Sequence, residues 1–340
     1  KVIFVDNLND SGPGSLRAAI LDPEPRIIIF RVSGTIALKS NLEVSNPYIT
    51  IAGQTAPGDG ICLKTFPLKI KNTHDVILRG IRVRPGIESG LDGNNIDGID
   101  IEYSNNVIID HCSASWAVDE ILNTNKNVND ITIQWCIFSE SLNNSIHEKG
   151  EHGYAATIGG YRASYHHNLF AHNKGRNPSI GGDDKSKTAL LDFQNNVVYN
   201  WTSRVCDGKP QSMNFVSNYY KQGPATPAEN DRIIVEIQAS EKYGYTSRWF
   251  IENNFINKYP ELTENNWSGA IRFSQGTSIG KNKENSLFEN YYYLTRDAIQ
   301  SYFEVLDHAG VIIPRRDQVD QRLVDEVENG SANFGNGIID

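Results

Sequence analysis

Charged side chains able to hold a cation or move a proton crowd one stretch of the 340-residue chain, from Asp97 to Arg176. Asp97 and Asp100 lie in IDGIDIE, Asp119 and Glu120 in SWAVDE, His147, Lys149 and His152 in HEKGEHG, and Lys174 and Arg176 in HNKGRNP. Gathered carboxylate oxygens suit a hard cation such as calcium, and no Cys/His set points to a softer metal. The cationic side chains that follow would face an acidic ligand. The chemistry in view is metal-assisted work on an anion, provided the fold brings these segments onto one face.

A repeat supplies such a fold. A few apolar or β-branched residues followed by a turn on Asn or Cys recur along most of the chain, placing Ile81, Cys112, Cys136, Asn168, Asn196, Asn218, Asn254 and Asn290 at one equivalent position. The copies are roughly 22–36 residues apart, the period of a solenoid. No unit is long enough to bury its own apolar face, so each must stack on its neighbours. A column of Asn in register is what stacked coils produce, each amide bonding to the next. The pattern predicts an all-β parallel β-helix in which successive coils align the carboxylates first and the cations after them.

The ends are read differently. Ser15–Ile20 predicts a short helix capped by Ser15 over the open first coil. Gly53–Gly60 is expected as a turn between coils and Gln222–Ser247 as a surface loop. Ala298–His308 and Arg315–Glu328 have helical patterns, with Pro314 near the start of the second and Gly330 past its end. Val319, Leu323, Val324 and Val327 share one helical face and are expected on the outside or end of the stack. The chain is thus a single domain over 1–340, with 296–330 as a helical extension. A stack with capped ends gives no strong reason to oligomerise, so a monomer is expected.

The formal charge of −9 argues against a general nucleic-acid binder, and no apolar run is long enough to span a membrane. An acidic ligand stays open, because a bound cation or local basic cluster reverses the field within one groove. Lys1 followed by Val2–Val5 reads as a strand, with no signal peptide, as in a mature or trimmed chain. Cys62, Cys112, Cys136 and Cys206 show no metal-type spacing. Cys112 and Cys136 fall on successive coils as stacked interior thiols, with a disulfide between them an open alternative.

The segments IDGIDIE, NVIIDHCSASWAVDE, ITIQWCIF and YHHNLFAHNKGRNP resemble the pectate lyases of polysaccharide lyase family 1, over roughly 75–218. NLNDSGPGSLRAAI and PRRDQVDQRLVDEV resemble one subgroup of that family. The resemblance implies a right-handed parallel β-helix, calcium-dependent β-elimination of polygalacturonate, and a secreted, periplasmic or surface location. It implies calcium ligands at Asp97 and Asp119, and makes Arg176 the base that takes the proton from C5 of the sugar. Three departures follow. Ser115 stands where the family has an acidic ligand, leaving Glu120 as the nearest replacement. The family's substrate-binding Lys aligns near Asn143, with Lys149 a few residues on as a stand-in and as a second catalytic residue, whose charge together with calcium would favour the neutral form of Arg176. Ser179 and Gly181 replace two further arginines, and Lys174 and His152 are the remaining candidates for substrate contact.

Two other functions use the same residues. A pectin-cutting glycoside hydrolase needs an acid–base pair, which Asp97, Asp100, Asp119 and Glu120 would supply. A non-catalytic polysaccharide-binding β-helix needs only the groove. Asp110 and His111 read as structural, His166 and His167 as stacking residues, and Trp116, Trp135 and Tyr161 as either groove or packing aromatics.

Overall fold

The computed structural model describes residues 1–181, 187–289 and 296–340, leaving aside the side chain of Asn125. Its strands form three parallel sheets of ten, nine and nine strands. Each coil visits the sheets in turn, as in Asn105–Asp110, Ser113–Ser115 and Glu120–Lys126. Side chains alternate across a strand, so one set points into the coil and stacks on the same set above and below. In the first sheet Ile109, Ile133, Tyr165, Phe193, Phe215 and Ile251 make one such buried column.

The corner from the first to the second sheet explains the Asn repeat. His111, Trp135, His167, Asn195, Ser217 and Asn253 take the left-handed conformation there, with φ between 49° and 57°. This sparsely allowed region turns the chain in one residue. The next residue carries the ladder. Asn168 donates its backbone N–H and its Nδ2 to Asn196 Oδ1, both at 3.0 Å, and Nδ2 also donates to Ile133 O at 2.9 Å. Asn196, Asn218 and Asn254 repeat this pattern. Cys112 and Cys136 start the column as free thiols, Cys112 N–H donating to Cys136 Sγ at 3.4 Å. At the far end Asn254 donates to Asn266, which comes from a 3₁₀ turn rather than a strand. The Asn290 position lies outside the described residues.

The helix Leu16–Leu21 buries Leu16, Ala19 and Ile20 against the first coil, and Ser15 Oγ accepts from Ala18 N–H at 3.2 Å. Ala298–His308 is helical as the pattern predicts. The second helix spans Gln318–Asn329, later than Arg315, because Asp317 accepts from Asp320 N–H as its cap. Both helices lie on the outer face of the second sheet, where Leu323, Val327, Tyr302 and Val305 cover Ile137, Leu169, Val197 and Tyr219. Polar contacts fasten them: Arg84 is ion-paired with Asp320 at 2.9 Å and Arg322 with Glu140 at 2.8 Å, and His172 Nε2 lies 3.0 Å from Glu326 Oε2.

Two expectations need correction. Gly53–Gly60 turns within a coil, joining Ile49–Ala52 of the first sheet to Ile61–Lys64 of the second. The 222–247 stretch is not all surface loop, since Val235–Ile237 is a third-sheet strand with Val235 and Ile237 buried.

Candidate active site

The corner between the second and third sheets carries the charged segments. Ile99 pairs with Leu122, Glu120 with Tyr154, and Tyr154 bridges Gly175. Four successive coils therefore place Asp97, Glu120, Tyr154 and Arg176 beside one another. Asp97, Asp119 and Glu120 each offer a carboxylate oxygen within 4.8 Å of the others. Asp97 Oδ1 accepts Glu120 N–H at 3.1 Å, which ties the two coils together at this point.

The electrostatics follow from crowding. Burial, then the Asp100, Glu120 and Asp119 charges, push the Asp97 carboxyl well above its ordinary range. Burial and Asp119 push Glu120 up to about 7, although Arg176 pulls the other way. Such repulsion is what a divalent cation relieves, and the oxygen donors match a hard ion. Asp119 differs. Burial opposes its charge, but the His152 imidazole beside it prevails and holds its carboxyl low.

The two histidines act on Asp119 rather than opening to the groove. His147 and His152 are buried, their rings stacked with centroids 3.6 Å apart. His152 Nε2 lies 2.8 Å and His147 Nε2 3.5 Å from Asp119 Oδ1. His147 Nδ1 accepts Lys149 N–H at 3.1 Å, so a neutral ring carries its proton on Nε2, facing Asp119. The imidazoles support the Asp119 carboxylate, and with it they make a second group whose ligand atoms lie within 4.8 Å of one another. The spacing in HEKGEHG signalled the pair, but not that its surface is taken up by Asp119.

Arg176 sits at the centre. Its φ is 52°, its Nη1 is ion-paired with Glu120 Oε1, and its guanidinium carbon lies 4.3 Å from the Tyr154 ring centroid. Thr157 Oγ1 donates to the same Glu120 oxygen at 2.8 Å. Lys174 is paired with Glu151 at 2.5 Å. Asn143 is half-buried, with its carbonyl accepting His152 N–H at 2.7 Å. Lys149 is exposed, and among the described residues no ion pair joins its ammonium to the carboxylates of the site.

The remaining candidates separate cleanly. Asp100 pairs with Lys69 at 3.0 Å and stands outside the trio. Ser115 lies on the outer face of the second sheet, on the side covered by the C-terminal helices, with its Oγ 2.9 Å from Ser139 Oγ, so it adds nothing to the carboxylate cluster. Trp135 stacks between His111 and His167, at 6.0 and 4.3 Å, and Asp110 bonds His111 at 2.6 Å, a structural cluster at the other corner.

One residue escaped the motif reading. Ser179 pairs with Asp207, so Arg204 occupies the register of Arg176 one coil later, and its guanidinium carbon lies 5.7 Å from the same Tyr154 ring. Its loop is fastened by Thr202 and Ser203 N–H donating to Lys174 O at 3.0 and 2.8 Å. Gly175 permits this approach, since a Cβ there would lie 2.4 Å from Ser203 Oγ. Arg204, paired with Asp207 at 3.4 Å, thus places a cation near the coil where the resemblance expects arginines at positions 179 and 181.

No family model matches the chain. Named relatives do. Probable pectate lyase C of Aspergillus flavus is 34% identical over 346 residues, covering 97% of this chain and 73% of the relative. The protein of the same name from Emericella nidulans is 35% identical over 329 residues, covering 96% and 71%. Among solved structures, the cedar pollen allergen jun a 1 matches with TM-score 0.65 at 18% identity, over 91% of this chain and 88% of that one. Pectate lyase Bsp165PelA from Bacillus sp. N165, in complex with trigalacturonate, matches with TM-score 0.62 at 16% identity, over 92% and 94%. At that identity the structures speak for the parallel β-helix alone, while the sequence relatives carry the assignment. The chain belongs to the pectate lyase family and is a polysaccharide lyase.

Proposed function

We propose that this lyase cleaves α-1,4-linked polygalacturonate by calcium-dependent β-elimination, with Asp97, Asp119 and Glu120 as the calcium ligands and Arg176 as the base. The observation that carries the reading is the convergence of three carboxylates beside one arginine. Calcium there would supply positive charge to a uronate carboxylate as negative charge builds on it. Binding of that carboxylate is shared by Arg204, in register with Arg176 and also near Tyr154.

The chain's own residues then move the proton. Arginine is ordinarily too basic for this, with a pKa above about 12. Arg176 is ion-paired with Glu120 in the structure at hand, so it can meet the sugar only when the Glu120 carboxylate is otherwise engaged. Arg176 then takes the proton from C5, the electron pair forms the C4–C5 double bond, and the C4–O bond breaks. The leaving oxygen is protonated by water, and no covalent intermediate forms. Tyr154 fixes the guanidinium plane, and His147 and His152 fix Asp119. A secreted protein working outside the cell accords with a polymeric substrate.

The test is ultraviolet absorbance of polygalacturonate incubated with the protein, in calcium and in excess chelator. A rise in unsaturated ends that depends on calcium supports the reading. Saturated reducing ends without absorbance would replace it with hydrolysis.

A further inference from the structure

Asp97 and Asp119 rest on a small apolar cluster built from Ile96, Val118 and Leu142. Each member directly precedes a residue of the site: Asp97, Asp119 or Asn143. The coils are tied there by Val118 N–H to Ile96 O at 2.9 Å, Asp119 N–H to Ile96 O at 3.2 Å and Leu142 N–H to Ala117 O at 2.9 Å. The cluster is closed by Ile339, nearly two hundred residues beyond Leu142 in sequence and packed against it together with Leu91 and Trp116.

Ile339 arrives on a segment without regular secondary structure that leaves the second C-terminal helix and runs along the corner of the site. Asn333 N–H donates to Glu326 Oε1 at 2.8 Å, and Asn200 Nδ2 donates to Asn336 O at 2.8 Å. Gly337 then lies so close to His172 that a Cβ would sit 2.1 Å from its Nδ1. Asn143 N–H donates to Ile339 O at 2.8 Å, and Asn144 N–H to Asp340 Oδ1 at 3.1 Å. Asn143 is the hinge of the arrangement, because its carbonyl accepts from His152 N–H while its own N–H is held by the segment.

We infer that the segment 333–340 is a strap that positions the carboxylate site, with Ile339 and Gly337 as positioning residues. Ile339 acts on Asp97 and Asp119 through Ile96 and Val118. Its carbonyl acts on Asp119 a second time, through Asn143 and His152. This rests on reading Asp97, Asp119 and Glu120 as calcium ligands. Residues that orient metal ligands from behind are worth about 10- to 100-fold in metal affinity.

The experiment is a calcium titration of lyase activity for the parent, Ile339→Ala, Ile339→Leu and Phe334→Ala. Hydrogen exchange of the amides over 143–153 and the melting temperature accompany it. Phe334 is 58% exposed on the same segment, with its ring 5.0 Å from the Arg322 guanidinium carbon, so it controls for disturbance of the tail. Ile339→Ala is expected to raise the calcium midpoint about tenfold, with the rate recovered at saturating calcium and exchange of the loop amides accelerated. Ile339→Leu and Phe334→Ala should follow the parent. The strap is overturned if Ile339→Ala lowers only the melting temperature, or leaves both midpoint and exchange unchanged. If the parent needs no calcium, the ligand assignment fails by itself. Loop exchange then decides the strap, faster exchange supporting it and unchanged exchange refuting it.

Discussion

Two corners of the same solenoid treat buried polar groups in opposite ways. Between the first and second sheets the Asn ladder uses every polar atom of its amides: Asn196 Nδ2 donates twice and its Oδ1 accepts twice. Between the second and third sheets Asp97, Asp119 and Glu120 crowd like charges, and two of the three carboxyls are pushed upward. The first corner is a spine that specifies register. The second holds repulsion in place because the first is rigid. The proposed cation site thus lies where the fold crowds carboxylates, beside a ladder whose amides are satisfied.

Breaking the spine should give the largest effect on stability. Asn196→Leu keeps the branched heavy-atom shape but removes the acceptor of the Asn168 backbone N–H, one of the two acceptors of Asn168 Nδ2 and a donor to the Tyr165 carbonyl. The cost is about 3 kcal/mol, since each buried unsatisfied group costs about 1–3 kcal/mol. Denaturant unfolding should show it, while calcium dependence of the surviving native protein stays that of the parent.

The same corner sets a pH dependence. Burial lowers His166 to about 4; burial, with His166 and Arg296, lowers His167 to about 3. The ordinary histidine value is about 6.5. The neutral rings are favoured in the fold, so below 6.5 the unfolded chain binds more protons. This contribution is fully present above pH 6.5 and is lost as pH falls towards 4 and then 3. Melting temperatures between pH 7 and 4 should fall, and His167→Phe should flatten that slope.

At the carboxylate corner the two peripheral cations should have smaller effects, confined to kinetics. Arg204→Gln should raise KM about tenfold, the range of one lost charged hydrogen bond, with kcat nearly kept. Lys149→Ala should change KM by less than about threefold, because an exposed ammonium is screened by salt. A Lys149 effect as large as that of Arg204 would reverse their ranking and restore the place the motif comparison gives Lys149.

Much of this contrast was legible in the residues. The ladder from Cys112 to Asn254 follows from spacing, because stacking demands one polar residue per corner. Asn266 was not legible, since it enters from a 3₁₀ turn only 12 residues after Asn254 and breaks the period. Asp97, Asp119 and Glu120 were readable as a cluster, because acidic motifs on successive coils must converge. Arg204 had no motif. Its signal was arithmetic: it follows Arg176 by the 28 residues that separate Asn168 from Asn196. The burial of His147 and His152 depends on a loop between strands, and the closing role of Ile339 on a contact across most of the chain; neither has a local pattern.

The most direct test of the central claim compares Arg176→Ala with the parent on polygalacturonate at saturating calcium, with calcium binding followed by calorimetry. The account predicts at least about a thousandfold loss of unsaturated product, within the range for removing a catalytic base. It also predicts calcium affinity equal to or tighter than the parent's, because Glu120 loses its competing partner. Full activity in Arg176→Ala, or loss of calcium binding along with activity, would contradict it.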